Sequence, residues 1–156
     1  MPVDENEFRL AMGHFASGVT VVTTAANGER YGLTVASFAS LSLRPPLVLV
    51  CIDKSVRTHD AILTAKSFAV NILGDDQEAV SRVFASRTED KFASVTTSEG
   101  ALGQPLIDGA LAMIECSLHD HLPGGDHTIF VGQVEATRVR TGDPLAYFRS
   151  GYRKLA

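Results

Sequence analysis

No Cys-x-x-Cys pair occurs in this 156-residue chain, so zinc, iron–sulfur and dithiol redox chemistry lack ligands at their usual spacing. Its two cysteines, Cys51 and Cys116, each sit in an apolar strand-like segment and read as buried free thiols. A basic excess is missing too. Fourteen Lys and Arg stand against 18 Asp and Glu, a formal charge of −4, which removes the attraction for nucleic acid or an anionic membrane. The longest apolar run, Leu47–Ile52, falls far short of the roughly 18 residues of a membrane span. Met1-Pro2-Val3-Asp4-Glu5 is acidic where a secretory signal is basic. A cytoplasmic protein with no nucleic-acid and no membrane partner is expected. Gly-x-Gly-x-x-Gly, Gly-x-x-x-x-Gly-Lys and Gly-x-Ser-x-Gly are all absent, which leaves a Rossmann site, a P-loop and a hydrolase elbow without support.

What is present suits one domain over residues 1–156: 45% hydrophobic residues and no repeat, low-complexity segment or linker. Asp4-Glu5-Asn6-Glu7 has the form of a capping box, and Phe8, Ala11, Met12 and Phe15 recur at helical spacing. The opening segment is therefore expected to be a helix packed on the core. A strand over 18–24, a hairpin signal at Ala26-Asn27-Gly28 and a strand over 29–39 follow. After a strand over 47–53, residues 54–60 read as a loop into a short helix capped by Ser55 or Thr58. A strand over 67–73 precedes a second capping signature, Asp75-Asp76-Gln77-Glu78, and a helix carrying Val80, Val83 and Phe84 on one face. Residues 96–109 read as loose chain. Strands over 110–121 and 127–140, joined at Pro123-Gly124-Gly125, read as a long hairpin. Strands dominate without strict β–α alternation, so a mainly β fold, an antiparallel barrel closed or nearly so, is expected rather than a doubly wound sheet.

The segment from Gly32 to Pro46 alternates small hydroxyl residues with apolar ones at strand period, then turns at two prolines. A strand edge bearing Thr34, Ser37 and Ser40 suits a flat, polar-rimmed ligand, because small side chains admit close approach and each free peptide group seeks a partner. Cys116, His119, His121, Asp126 and His127 crowd together in sequence, but strand alternation puts His119 and His121 on one face and Cys116 on the other. Two imidazoles without an evident third ligand leave no metal site expected.

Five phrases together resemble the short flavin reductases, the NAD(P)H:flavin oxidoreductase components of two-component flavin monooxygenases. They are Phe15 to Thr24, Gly32 to Val50, Phe68-Ala69-Val70-Asn71-Ile72-Leu73, Gly124 to Gly132, and Pro144-Leu145-Ala146-Tyr147-Phe148. The resemblance implies an FMN-binding split β-barrel of antiparallel Greek-key type and a homodimer with flavin near the subunit interface. It also implies reduction of FMN or FAD by NADH or NADPH, with reduced flavin passing to an oxygenase component. By that resemblance the isoalloxazine ring lies against Thr34, Val35, Ala36 and Ser37, with Ser40 nearby. The phosphate or ribityl chain lies near Asp53, Ser55 and Thr58, and Phe84, Arg87 and Lys91 come toward the same ligand. Hydroxyls and free N–H groups at a helix start suit phosphate oxygens, and Arg87 and Lys91 bring positive charge. Ser55 and Thr58 equally suit simple capping, and Arg87 and Lys91 a solvated turn with Glu89 and Asp90. His127, projected from the Gly-Gly-Asp-His turn, is the implied catalytic residue on the nicotinamide side, with Asp126 a turn or tautomer-fixing partner; its plainer role is to anchor the turn. A non-catalytic FMN-binding or electron-transfer protein of the same barrel type is the competing reading.

Overall fold

The computed structural model describes residues 1–156. In chain order its elements begin with α1 (Glu5–Met12), β1 (Ser17–Gly18), β2 (Thr20–Ala26), β3 (Glu29–Val35), β4 (Phe38–Ser42), β5 (Leu47–Asp53) and α2 (Arg57–Ala65). They continue with β6 (Ser67–Ile72), α3 (Glu78–Ala85), a 3-10 turn (Lys91–Ser94), β7 (Thr97–Glu99) and β8 (Pro105–Ile107). Last come β9 (Ala112–Gly124), β10 (His127–Val139), β11 (Ala146–Phe148) and β12 (Gly151–Arg153). No helix is long and apolar enough to cross a membrane.

Seven strands form one antiparallel sheet in the order β3-β2-β6-β9-β10-β5-β4. Its two edge strands, β3 and β4, are joined through Ala36 and Ser37 alone. A two-residue link cannot span the width of a flat seven-stranded sheet, since neighbouring strands lie about 4.8 Å apart. The sheet therefore curls until its edges meet at that corner, giving a barrel that stays split along the rest of the β3–β4 seam. Side chains from β2, β3, β5, β6, β9 and β10 fill the interior: Val22, Val35, Val48, Val50, Ile52, Phe68, Val70, Cys116 and Phe130, with Ile62 of α2 among them. Full burial of each large apolar side chain contributes roughly 1.5–3 kcal/mol. A second cluster, containing Val19, Val21, Leu73, Phe84, Phe92, Ile107 and Leu145, packs α3 and the 3-10 turn onto the outer face of β2.

Several sequence expectations change here. The strand expected over 29–39 breaks at Ala36-Ser37, because the chain crosses there from one sheet edge to the other. The capping box is formed: Asp4 Oδ1 accepts from Glu7 N at 2.9 Å and Glu7 Oε2 from Asp4 N at 3.3 Å. The helix behind it is not packed on the core, however, and none of its residues is buried. Phe8, Met12 and Phe15 stay exposed because the barrel interior is already filled by strand side chains and α2. Neither Ser55 nor Thr58 caps α2, whose N-cap is Val56. The Ser55 hydroxyl is taken by Asp53, and Thr58 lies inside the first turn. The N-cap of α3 is Gln77, which has no side-chain capping bond; its Oε1 accepts from Gly74 N instead. The stretch expected to be loose contains the β7–β8 hairpin.

Cys116 is buried as expected, but Cys51, on the alternate face of β5, is only half-buried. Burial, reinforced by Glu135 and Glu115, pushes the Cys116 thiol up to about 12. Since the thiolate is the nucleophile, Cys116 is expected to resist iodoacetamide at pH 8 in native protein and to react once urea unfolds it. Labelling followed by mass spectrometry checks this.

Candidate functional site

At the corner where β3 crosses to β4, the N–H groups of Ala36 and Ser37 donate to no acceptor in the protein, and both residues are exposed. They are the free polar groups of the predicted ring-binding strip, more so than its hydroxyls. Thr34 Oγ1 donates to Ser81 O at 2.6 Å, tying β3 to α3, and Ser37 Oγ donates to Cys51 O at 3.1 Å, tying the corner to β5. Val35 turns its side chain into the barrel core and presents backbone only. Ser40 is exposed on the edge strand β4.

Beside β3 lies a cleft of about 380 Å³, walled by the first half of β3, the start of α2 and the segment from Ser86 to Phe92. Thr58, Arg87 and Lys91, predicted to act on one ligand, are brought together in it. Thr58 is 4% exposed, and its hydroxyl has no hydrogen-bond partner in the protein. The N–H groups of Arg57 and Thr58, at the N-terminus of α2, are likewise without an acceptor. An unpaired hydroxyl in the cleft lining and free N–H groups at a helix start form an anion cradle. Lys91 Nζ donates to Gly32 O at 3.2 Å and Phe84 O at 3.0 Å, and burial pushes its ammonium below the usual lysine range. Arg30, Arg57, Arg87 and Lys91 line the cleft against Glu89 and Asp90, so this acidic chain has a locally cationic pocket. Arg87 alone among those cations makes no hydrogen bond or ion pair.

Three predicted ligand residues lie elsewhere. Phe84 is fully buried in the second cluster, edge-on to Phe92 with ring centroids 5.0 Å apart. A Cβ on Gly32 would sit 2.8 Å from its ring, so glycine at 32 is what lets α3 close onto β3. Phe84 thus builds the wall behind the cleft. Asp53 and Ser55 engage each other: Ser55 N and Oγ both donate to Asp53 Oδ1 at 2.8 Å. These bonds hold the Asp53 carboxyl below the usual carboxylate range, with smaller contributions from His127 and His59. An ionised carboxylate repels phosphate, so the pair shapes the loop into α2.

His127 is the first residue of β10 and pairs in register with Asp53. Its Nδ1 lies 2.7 Å from Asp126 Oδ1, which fixes a Nδ1–H tautomer and leaves Nε2 unpartnered on a side chain 41% exposed. Next to it, Thr128 Oγ1 lies 2.7 Å from Nε2 of the buried His59, whose Nδ1 lies 2.8 Å from Asp60 Oδ1. That chain braces α2 against β10, so the cradle and His127 are held by one frame. Arg30, Tyr31 and Arg57 also line the cleft, and nothing in the sequence marks them beyond charge and aromaticity at the starts of β3 and α2.

Residues 12–156 match the flavin reductase like domain. The chain is 45% identical over 151 residues to the reductase component of 4-nitrophenol 4-monooxygenase/4-nitrocatechol 2-monooxygenase of Rhodococcus opacus, covering 97% of this chain and 81% of that one. It is 42% identical over 149 residues to the reductase component of 4-hydroxyphenylacetate 3-monooxygenase of Thermus thermophilus, covering 95% of each. The solved NADH:FAD oxidoreductase of Streptomyces globisporus, in complex with NAD and FAD fragments, superposes with a TM-score of 0.94 at 38% identity, over all of this chain and 97% of that one. With that match across nearly its whole length, on a split barrel with a cationic cleft, the chain belongs to the flavin reductase family.

Proposed function

We propose that this protein is an NAD(P)H:flavin oxidoreductase that reduces FMN or FAD and releases it to a partner oxygenase. The observation that carries the reading is the placement of two polar sites along one strand, free N–H groups at the corner where β3 ends and a cationic cleft beside its first half. Free N–H groups at Ala36 and Ser37 suit the edge of a flavin ring, and the cradle of Thr58, Arg87 and Lys91 suits its phosphate. A flavin held by the Ala36 and Ser37 N–H groups and by Thr58, Arg87 and Lys91 would supply the redox chemistry, a two-electron reduction by the nicotinamide's hydride and a proton from water. The protein's part is orientation. Small residues at the corner let a planar ring lie close, and His127, with Nε2 unpartnered, serves as a clamp on the nicotinamide side.

The exposed apolar face of α1, with Phe8 and Met12, and Phe15 just beyond it, supports a homodimer in which a second copy covers it. Reductase components among the relatives support an oxygenase partner for this chain. Free thiols and nicotinamide chemistry support a cytoplasmic setting.

The test is oxidation of NADH and NADPH by the pure protein with and without FMN, FAD or riboflavin. Flavin-dependent oxidation is expected, and its absence with every pair rejects the reading. His127→Ala is expected to raise KM for the nicotinamide about tenfold, the cost of one hydrogen-bonding contact. An unchanged KM would favour the plain flavin-binding alternative.

A further inference from the structure

The cationic cleft extends past the point where a flavin phosphate would end. β3 acts as a ruler at about 3.3 Å per residue. The ring strip begins at Thr34, and Lys91 reaches the strand at Gly32 O. Tyr31 and Arg30 lie one and two residues beyond, still lining the cleft. A terminal phosphate seated at Lys91 and Thr58 would leave the Arg30–Tyr31 end of the cleft, which holds about 380 Å³ in all, unfilled.

The outer part is cationic and aromatic, with Arg30 and Tyr31 entering the cleft from opposite faces of β3. Glu29 Oε2 accepts from Arg57 Nη2 at 2.8 Å and from the Tyr31 hydroxyl at 2.9 Å, and the Arg57 guanidinium lies 5.2 Å from the Tyr31 ring centroid. Arg30 stands alongside, 4.7 Å over the Phe92 ring. The Arg57–Glu29 pair is exposed on both sides and therefore contributes little to stability and is easily re-aimed. Planar guanidinium and phenol faces stack on nucleobases, guanidinium N–H groups bind phosphate oxygens, and a carboxylate accepts from ribose hydroxyls.

We infer that Arg30, Tyr31 and Arg57 receive the adenosine monophosphate half of FAD, which makes FAD the preferred flavin. The inference rests on the flavin reductase reading. FMN has no base, second phosphate or second ribose to place in that end of the cleft.

Isothermal titration calorimetry of the full chain with FAD, FMN and riboflavin, without nicotinamide, tests it. FAD is expected to bind about tenfold tighter than FMN, the value of one base-stacking contact. Arg57→Ala is expected to bring the two to parity, with Tyr31→Ala moving the ratio in the same direction. FMN binding as tightly as FAD, or a FAD/FMN ratio unchanged in both variants, overturns the inference and leaves the reductase reading standing. Variants that weaken NADH binding while sparing the FAD/FMN ratio overturn it by assigning that end of the cleft to the dinucleotide donor. Failure of all three flavins to bind, riboflavin included, removes the reductase reading and this inference with it.

Discussion

Phe68→Ala is expected to destabilise the protein by about 3–5 kcal/mol, a large part of the roughly 5–15 kcal/mol by which a domain this size is stable. Phe68 is fully buried in the barrel interior on β6, paired in register with Cys116 of β9. Its ring occupies the space a side chain at Gly132 would need: a Cβ there would lie 2.6 Å from Phe68 Cζ and 2.7 Å from Cys116 Cβ. The barrel thus stacks a large residue against an absent one, and removing the ring leaves a void that rigid strands close only in part. At about 2–4 °C per kcal/mol for a chain of this length, the melting temperature should fall by roughly 6–20 °C. The reciprocal change, Gly132→Ala, overpacks the same spot and should cost about 1–3 kcal/mol. If the two positions share one space, Phe68→Leu with Gly132→Ala will be less damaging than the sum of the single changes in urea unfolding. Additive losses would show that they do not.

Arg87→Ala should raise Kd for FMN and FAD about tenfold or more, by removing charge-assisted hydrogen bonds to the phosphate. The guanidinium is the one cation lining the cleft with no partner in the protein, so binding breaks no existing pair. Riboflavin has no phosphate, and the loss should be specific to the phosphorylated flavins. The discrimination between FMN and riboflavin should also shrink with added salt, since Arg87 is exposed and screening acts on it directly. Equal weakening of all three flavins would mean that Arg87 supports the fold of the 86–90 turn instead.

How far these features were legible depends on how local their causes are. The boundaries of β5 follow from the apolar run Leu47–Ile52, and the β2–β3 turn from Asn27 and Gly28, both at positive φ. The capping box of α1 is equally local, but whether its apolar side is covered depends on what stands beside it; periodicity alone suggested core packing where the structure leaves exposure. Phe84 shows the limit most clearly. It lies three residues from Arg87, and the family resemblance sets both at the ligand, yet α3 ends between them, sending the phenyl ring into the core and Arg87 to the cleft. Arg30, Arg57 and Arg87 are separated by about thirty residues at each step, and no spacing rule relates them.

By itself, the chain's order of residues determined the mainly β class, most strand positions, the hydroxyl-bearing strip and the histidine at the hairpin tip, because each rests on neighbours within a turn or a strand. The fold alone decided which groups stay free. Curling seven strands until Ala36 and Ser37 could bridge both edges left their N–H groups without acceptors, engaged the Thr34 and Ser37 hydroxyls, and closed α2 and the Ser86–Phe92 segment around a cationic cleft. Hydrogen-bond satisfaction is a property of the whole packed molecule, so only tertiary structure shows which donors remain for a ligand.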